Sequence, residues 1–415
     1  MSSTPPMLDS LSRRDWLQSA AVAVTGLAAG GGSLSAAEAG LRSALAAKEL
    51  TPVGTTGRAA SISPRKLLLI VLTGGASQVD LFDPKPAAPV EGRSPFAPIR
   101  TSVPDIFLSE LLPGLAARMQ QVALVRTVQH PAARSHEAGL QLALTGQLAT
   151  FEQNPLHWSQ ALTLLSQGSL IARKFRAMEF PAHRSAVTSG ITRGKTVGRE
   201  RSAAQLVTAQ LVTIEQKQRY GDSEFGRRCA VAVQALRQGA DLCTVHFRSS
   251  VFDQLSFDMH ANGARLPTTL DDYRTRIAPE FDRAFSALLD ELPQHDSLAE
   301  TVVAVVSEMG RTPDFNARGG RDHWSGAWTQ LLAGPTIAGG TVIGRTDARG
   351  AEPIERPVSP AEFAATWLSA AGIDCPRERM IEVAGMRWPL VTAAPITELL
   401  AGRSAAVSGH RAEAV

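Results

Sequence analysis

A chain of 415 residues, 44% hydrophobic and 20% charged, holds ample material for a buried core and is not composed like a disordered polymer. Its net charge of +3, without a basic stripe interleaved with aromatics, argues against a nucleic-acid-binding protein. The three cysteines, Cys229, Cys243 and Cys375, form no CxxC and cannot all pair, so buried thiols are expected rather than a disulfide scaffold.

The N-terminal stretch SRRDWLQ (12–18) sets Arg13 and Arg14 before Trp16 and Leu17. An alanine-rich run, AAVAVTGLAAGGG, follows, and then SAAEAG with small residues at Ala37 and Ala39. The pattern resembles a twin-arginine export signal over residues 1–39. Its apolar part is too short and glycine-rich to span a membrane permanently. The resemblance implies passage through the twin-arginine export machinery to the periplasm or the cell exterior. Residues 40–64, rich in Gly, Ser, Thr and Ala, read as a linker, and 401–415 as a flexible tail.

Between them, 65–400 reads as one domain. RKLLLIVLTGG (65–75) opens it with a continuous apolar run closed by two glycines, the pattern of a parallel strand covered on both faces. QVALVRT (121–127) repeats it. RSHEAGLQLALTGQ (134–147) reads as a helix capped by Ser135 and ended by Gly146. Residues 171–201 carry eight basic residues, from Arg173 to Arg201, against Glu179 and Glu200. They read as a solvated insertion or as a basic cap attracting an anionic substrate. DLCTVHF (241–247) is the next strand. In DDYRTRIAPEFDRAFSALLDELPQ, residues Ile277, Phe281, Phe285, Leu288, Leu289 and Leu292 recur at helical spacing. TVVAVVSE (301–308) is a fourth strand, and AGGTVIGRTD (338–347) reads as a hairpin or turn rather than a phosphate loop. SPAEFAATWLSAAG carries Ser359 as cap, Pro360 at the first helical position, Glu362 to complete a capping box and Gly372 as stop. Alternating strands and helices predict a layered α/β sandwich.

Ligands of such sheets lie beyond the carboxyl ends of the strands. Asp80 and Asp83 follow the first strand, Asp258 and His260 the third, and Glu308, Asp322 and His323 the fourth. Two residues apart in extended chain, Asp258 and His260 point to one face. With His323 they make a His₂Asp set suited to zinc with an open position, while further carboxylates favour calcium or manganese. His136 sits in the first turn of a helix, a seat for anions. Arg311 could hold a carboxylate, clamp an oxyanion with its fork, or form a structural ion pair.

LTGGASQVDLFDPKP, LSELLPGLA, SHEAGLQLALTG, SEMGRTP, GRDHW and GGTVIGRTD occur in the order seen in the bacterial exported family called domain of unknown function 1501, which the chain resembles over residues 65–375. That family is grouped with the alkaline phosphatase and sulfatase-like superfamily. The resemblance implies a three-layer α/β/α sandwich with a mostly parallel sheet and a one- or two-ion divalent metal site (zinc, or calcium or manganese). Asp258, His260 and His323 match the ligands of one metal. Glu308 and Asp80 (or Asp83) match carboxylate ligands of a second, with Met309 where the superfamily has histidine and Thr73 directly after the first strand. The nucleophile's place falls on His136, beside Ser135, and His136 could instead hold or approach the second metal. The expected activity is exported, metal-dependent hydrolysis of phosphate or sulfate esters, on an anionic small molecule or glycan ester. A metal-activated water or atypical nucleophile would attack, with His136, Ser135 and Arg311 as catalytic residues. The alternative is a non-catalytic, metal-stabilised exported binding or structural protein of the same fold.

Overall fold

In chain order the strands of the central sheet are β1 (Leu67–Leu72), β2 (Val122–Val128), β3 (Ala177–Phe180), β4 (Leu242–His246), β5 (Val302–Ser307), β6 (Trp328–Ala333) and β7 (Val342–Ile343). They lie side by side as β7-β2-β6-β5-β1-β4-β3. All pairings are parallel except those of β6, which runs antiparallel to both β2 and β5. This computed structural model describes residues 65–132, 134–148, 161, 177–180, 212–261, 267–373, 380–383 and 386–401. The expected export signal and linker, most of the basic 171–201 segment, Cys375 and the tail beyond residue 401 lie outside them.

Every residue of β1 is buried, which is why its sequence shows no alternation. The strand still has two faces: Leu68, Ile70 and Leu72 join one core cluster, and Leu67, Leu69 and Val71 the other. The helices divide in the same way. Helix α1 (His136–Thr145) and α4 (Pro360–Ala370) supply Ala143, Leu144, Phe363 and Leu368 to the second cluster. Helices α2 (Glu224–Arg237) and α3 (Ala278–Glu291) supply Leu236, Phe281, Phe285 and Leu288 to the first. The fold is therefore a mixed α/β sandwich of three layers, helices on both faces of a mostly parallel sheet.

The expected starts and stops of α1 and α4 match the structure. The Ser359 hydroxyl accepts from the Glu362 amide, whose carboxylate accepts in turn from the Ser359 amide at 2.8 Å. Cys229 and Cys243 are buried thiols. Three segments differ from the expected pattern. Within 171–201, Ala177–Phe180 is not insertion but edge strand, pairing with β4; its four residues are too short a run to stand out among basic neighbours. The 338–347 segment turns at 339–340, but Val342–Ile343 then adds a parallel edge strand, and Arg345–Thr346 forms an antiparallel ribbon with Pro353–Glu355. The helix from residue 270 passes through a π turn at Tyr273–Ile277 before α3, where Pro279 lacks the N–H that would continue the ordinary ladder. Among the described residues no helix is long and apolar enough to cross a membrane.

Leu72 pairs with Ser307 and Val71 with His246, so β1, β5 and β4 end together. Val128, the end of β2, pairs with Trp328, the start of β6. Five loops therefore gather at one edge of the sheet.

Candidate metal centre

His136 is placed by the start of α1. The Ser135 hydroxyl caps the helix by accepting from the Ala138 amide at 3.3 Å, which makes His136 its first residue. One turn on, Gly139 lies so close to the end of β5 that an added Cβ would stand 2.3 Å from the Glu308 carbonyl oxygen. This contact seats the imidazole against Glu308: Nδ1 lies 2.5 Å from Oε2, while Oε1 accepts from the Gly74 amide at 3.1 Å.

Asp258 arrives from the loop after β4. The Phe257 amide donates to the Thr73 carbonyl at 3.0 Å, folding that loop onto the end of β1. Gly74, at φ +110°, has the Asp258 amide nitrogen 2.4 Å from where its Cβ would be, so no side chain fits there. His323 comes from a two-residue ribbon in which it stands opposite Arg311. His260 follows Asp258 by two residues.

The three imidazoles share one geometry. His136 donates from Nδ1 to Glu308, His260 lies 2.9 Å from Asp322 through Nδ1, and His323 lies 2.8 Å from the Arg134 carbonyl through Nδ1. Carboxylate and carbonyl oxygens accept only, so each Nδ1 carries the proton and each Nε2 is turned inward. All three Nε2 atoms face Asp258: His136 at 3.5 Å from Oδ2, His260 at 3.2 Å and His323 at 3.4 Å from Oδ1. Neutral imidazoles would thus aim lone pairs at a carboxylate, an arrangement of acceptors that only a cation or added protons relieve.

Protonation follows this. Burial acts to lower the His136 pKa, but its bonds to Asp258 and Glu308 outweigh it and raise it to about 9, so a proton fills the gap beside this ring. His260 shifts the other way: burial, then the nearby Arg311 charge, lower it. Burial would raise the Asp258 carboxyl, yet His136, His323 and Arg311 hold it far below the usual carboxylate range. Asp322 is also lowered, by the Asn316 amide first, against burial, and then by His260.

The donors fit a metal ion. One ligand atom each from His136, Asp258 and His323 all lie within 4.8 Å of one another. Atoms about 2.1 Å from a tetrahedral zinc ion stand about 3.4 Å apart, and the three Nε2–carboxylate spacings are 3.2 to 3.5 Å. Two or three imidazoles with one carboxylate suit zinc better than calcium, which takes oxygen ligands.

Of the residues expected at the site, His136, Asp258, His260, Glu308, Arg311 and His323 come together, and their arrangement differs from the expected one. Glu308 lies behind His136 as its acceptor, and His136 takes the inner place. Arg311 is fully buried; it donates to the carbonyls of Gly74, Gly75 and Arg321 and to Asp258, so its fork does not reach an oxyanion. The Ser135 hydroxyl is engaged as the helix cap. Asp80 lies apart, sealed with Arg321 through bonds of 2.7 and 3.0 Å. Asp83 pairs with Lys85 at 3.1 Å and Arg126 at 3.3 Å. The orienting roles of Asp322 and of the Arg134 carbonyl escaped the sequence reading. The adjacent Asp-His pair hinted at the first, and a backbone carbonyl leaves no sequence mark.

The family model described as "Protein of unknown function (DUF1501)" matches residues 64–160 and 195–400, which include the whole cluster. The chain belongs to the DUF1501 family. The comparison with curated proteins returns no match. Among solved structures, the DUF1501 chain is similar to a phosphonate monoester hydrolase from Silicibacter pomeroyi, at 12% identity over 76% of this chain and 74% of that one, TM-score 0.40. It is similar to a 2-O GAG sulfatase, at 10% identity over 76% and 72%, TM-score 0.40. It is also similar to the C-terminal periplasmic domain of EcEptC from Escherichia coli in complex with Zn, at 14% identity over 76% and 84%, TM-score 0.36.

Proposed function

We propose that this protein is a metal-dependent hydrolase of phosphate or sulfate esters, with zinc held by Asp258, His136 and His323 and with His260 alongside. The observation that carries the reading is the convergence of three inward Nε2 atoms on the Asp258 carboxylate. A bound divalent ion supplies charge neutralisation for an ester's oxygens and a lowered pKa for water. The chain's own groups do the positioning. Glu308, Asp322 and the Arg134 carbonyl fix the tautomer and plane of each imidazole, and Arg311 keeps Asp258 ionised and in place. The four inward side chains are between 12% and 26% exposed, open enough for a small anionic group to reach them. The reaction class follows from the motif resemblance, and the substrate would be an anionic small molecule or glycan ester.

Purified full-length protein, analysed for metal and assayed on aryl phosphates, phosphodiesters and sulfates, tests this. Turnover that is lost to a chelator and restored by zinc is expected. A metal-loaded, folded protein inactive on all three removes the catalytic claim. The second reading, a non-catalytic protein stabilised by its metal, draws support from the engagement of both the Ser135 hydroxyl and the Arg311 fork. His260→Ala separates the two: activity vanishes while folding largely survives under the first, and only the Tm falls under the second.

Residues 1–39 would act as a twin-arginine export signal delivering the 65–400 domain to the periplasm or beyond. Replacing Arg13 and Arg14 by Lys should retain the protein in the cytoplasm; unchanged export would remove this part of the reading.

A further inference from the structure

The arginines on the loops around the cluster differ in what neutralises them. Arg248 forks onto Glu280 with bonds of 2.9 and 2.6 Å, Arg311 is held by Asp258, and Arg321 forks onto Asp80. Arg134 and Arg318 are exposed and have no carboxylate at ion-pair distance among the described residues, and of these two Arg134 is the one held over a ring. Its guanidinium lies over the Trp324 ring, 4.1 Å from the centroid. Stacking on an indole restrains the planar cation without using any of its N–H donors.

Its position in the chain ties this cation to the centre. The Arg134 carbonyl accepts from His323 at 2.8 Å, His136 follows two residues later, and Trp324 is the residue after His323. Backbone and side chain thus bracket the ribbon that carries one imidazole, at the helix start that carries another. We infer that Arg134 is the anion-binding residue of this centre, its free fork taking two non-bridging oxygens of the ester's phosphate or sulfate group. Arg311, whose donors are engaged by three carbonyls and Asp258, cannot take that part. The inference rests on the ester-hydrolase reading and names the residue by which that site holds its substrate's charge.

Calorimetric titration of the zinc-treated full chain with inorganic phosphate and with inorganic sulfate tests it, with metal content measured on each sample. Arg134→Ala should retain zinc, since the carbonyl that orients His323 remains, and should bind the anions about tenfold to a hundredfold more weakly. Arg134→Lys keeps the charge but not the fork and should fall between, with a steeper salt dependence. Trp324→Leu, which removes the stacking surface, should weaken binding by a smaller factor. A zinc-bearing, folded Arg134→Ala or Arg134→Lys protein with wild-type anion affinity overturns the inference. Wild-type protein that takes up no zinc overturns the metal reading instead. The same titrations then judge Arg134 alone: affinity lowered by Arg134→Ala upholds its role, and unchanged affinity ends it.

Discussion

Asp80 and Asp258 are both carboxylates that follow strands of the sheet, and each is held by an arginine with no exposed surface. Their surroundings set them apart. Asp80 is itself fully buried; Arg321 occupies both its oxygens, and the Ser77 hydroxyl donates to it at 2.5 Å. No imidazole faces it among the described residues. Asp258 is 12% exposed, receives Arg311 on one oxygen, and has three ring nitrogens turned towards it. A buried arginine alone therefore marks neither a binding site nor a structural pair. What distinguishes them is whether the remaining lone pairs of the carboxylate meet permanent donors or imidazole nitrogens that can give up a proton for a cation.

The largest expected effect tests the sealed pair. Asp80→Ala leaves the Arg321 charge buried without its counter-ion and should cost about 3–5 kcal/mol of stability, read from a urea midpoint. Metal per folded molecule should not change. If zinc uptake disappears with Asp80 while folding survives, the two carboxylates are not independent and the comparison fails. Asp258→Asn should do the reverse. Arg311 keeps three carbonyl acceptors, so the stability loss should be nearer 1–3 kcal/mol, while zinc uptake should vanish by elemental analysis.

Much of this fold could be read from the chain because buried parallel strands are apolar along their whole length, as Leu67–Leu72 and Val302–Ser307 are. Caps such as Ser135 and the Ser359–Glu362 box were equally legible, being local hydrogen-bond chemistry. The gathering of His136, Asp258, Glu308 and His323 could be anticipated from their places at strand and helix ends. Their division into inner and outer groups could not. Both lie at element ends, so the sequence leaves Glu308 and His136 equally eligible for the inward place. Only the approach of Gly139 to the Glu308 backbone decides which one stands behind the other. Arg321, the partner that withdraws Asp80, lies 241 residues from it, a separation that no local pattern bridges.

Intermediate effects are expected from the outer acceptors. Glu308→Gln and Asp322→Asn keep the shape of each side chain but weaken the charge that orients its imidazole. Zinc affinity, measured by competition with a chelator, should fall about 10–100-fold for each. The fold should persist in both. Loss of zinc no greater than experimental scatter in either variant would move that carboxylate out of the centre.

The smallest effect is one of slope, and its sign differs between the metal-free and metal-bound forms. In the metal-free protein, His136 has a pKa of about 9 against an ordinary 6.5. Because the folded value is the higher one, the stability it contributes is fully present below about pH 6.5 and is lost as pH rises through about 9. Chelator-treated protein should therefore show a Tm that declines across this window, a decline that His136→Gln removes. Zinc must displace the same proton, so its affinity should rise over that window and level off near pH 9. Asp258 and Asp322 remain ionised throughout, since both are held below the ordinary carboxylate value. A wild-type zinc affinity independent of pH between 6.5 and 9 would mean that the ion binds without displacing the His136 proton. The inner place of that ring, and with it the contrast between the two aspartates, would then be lost.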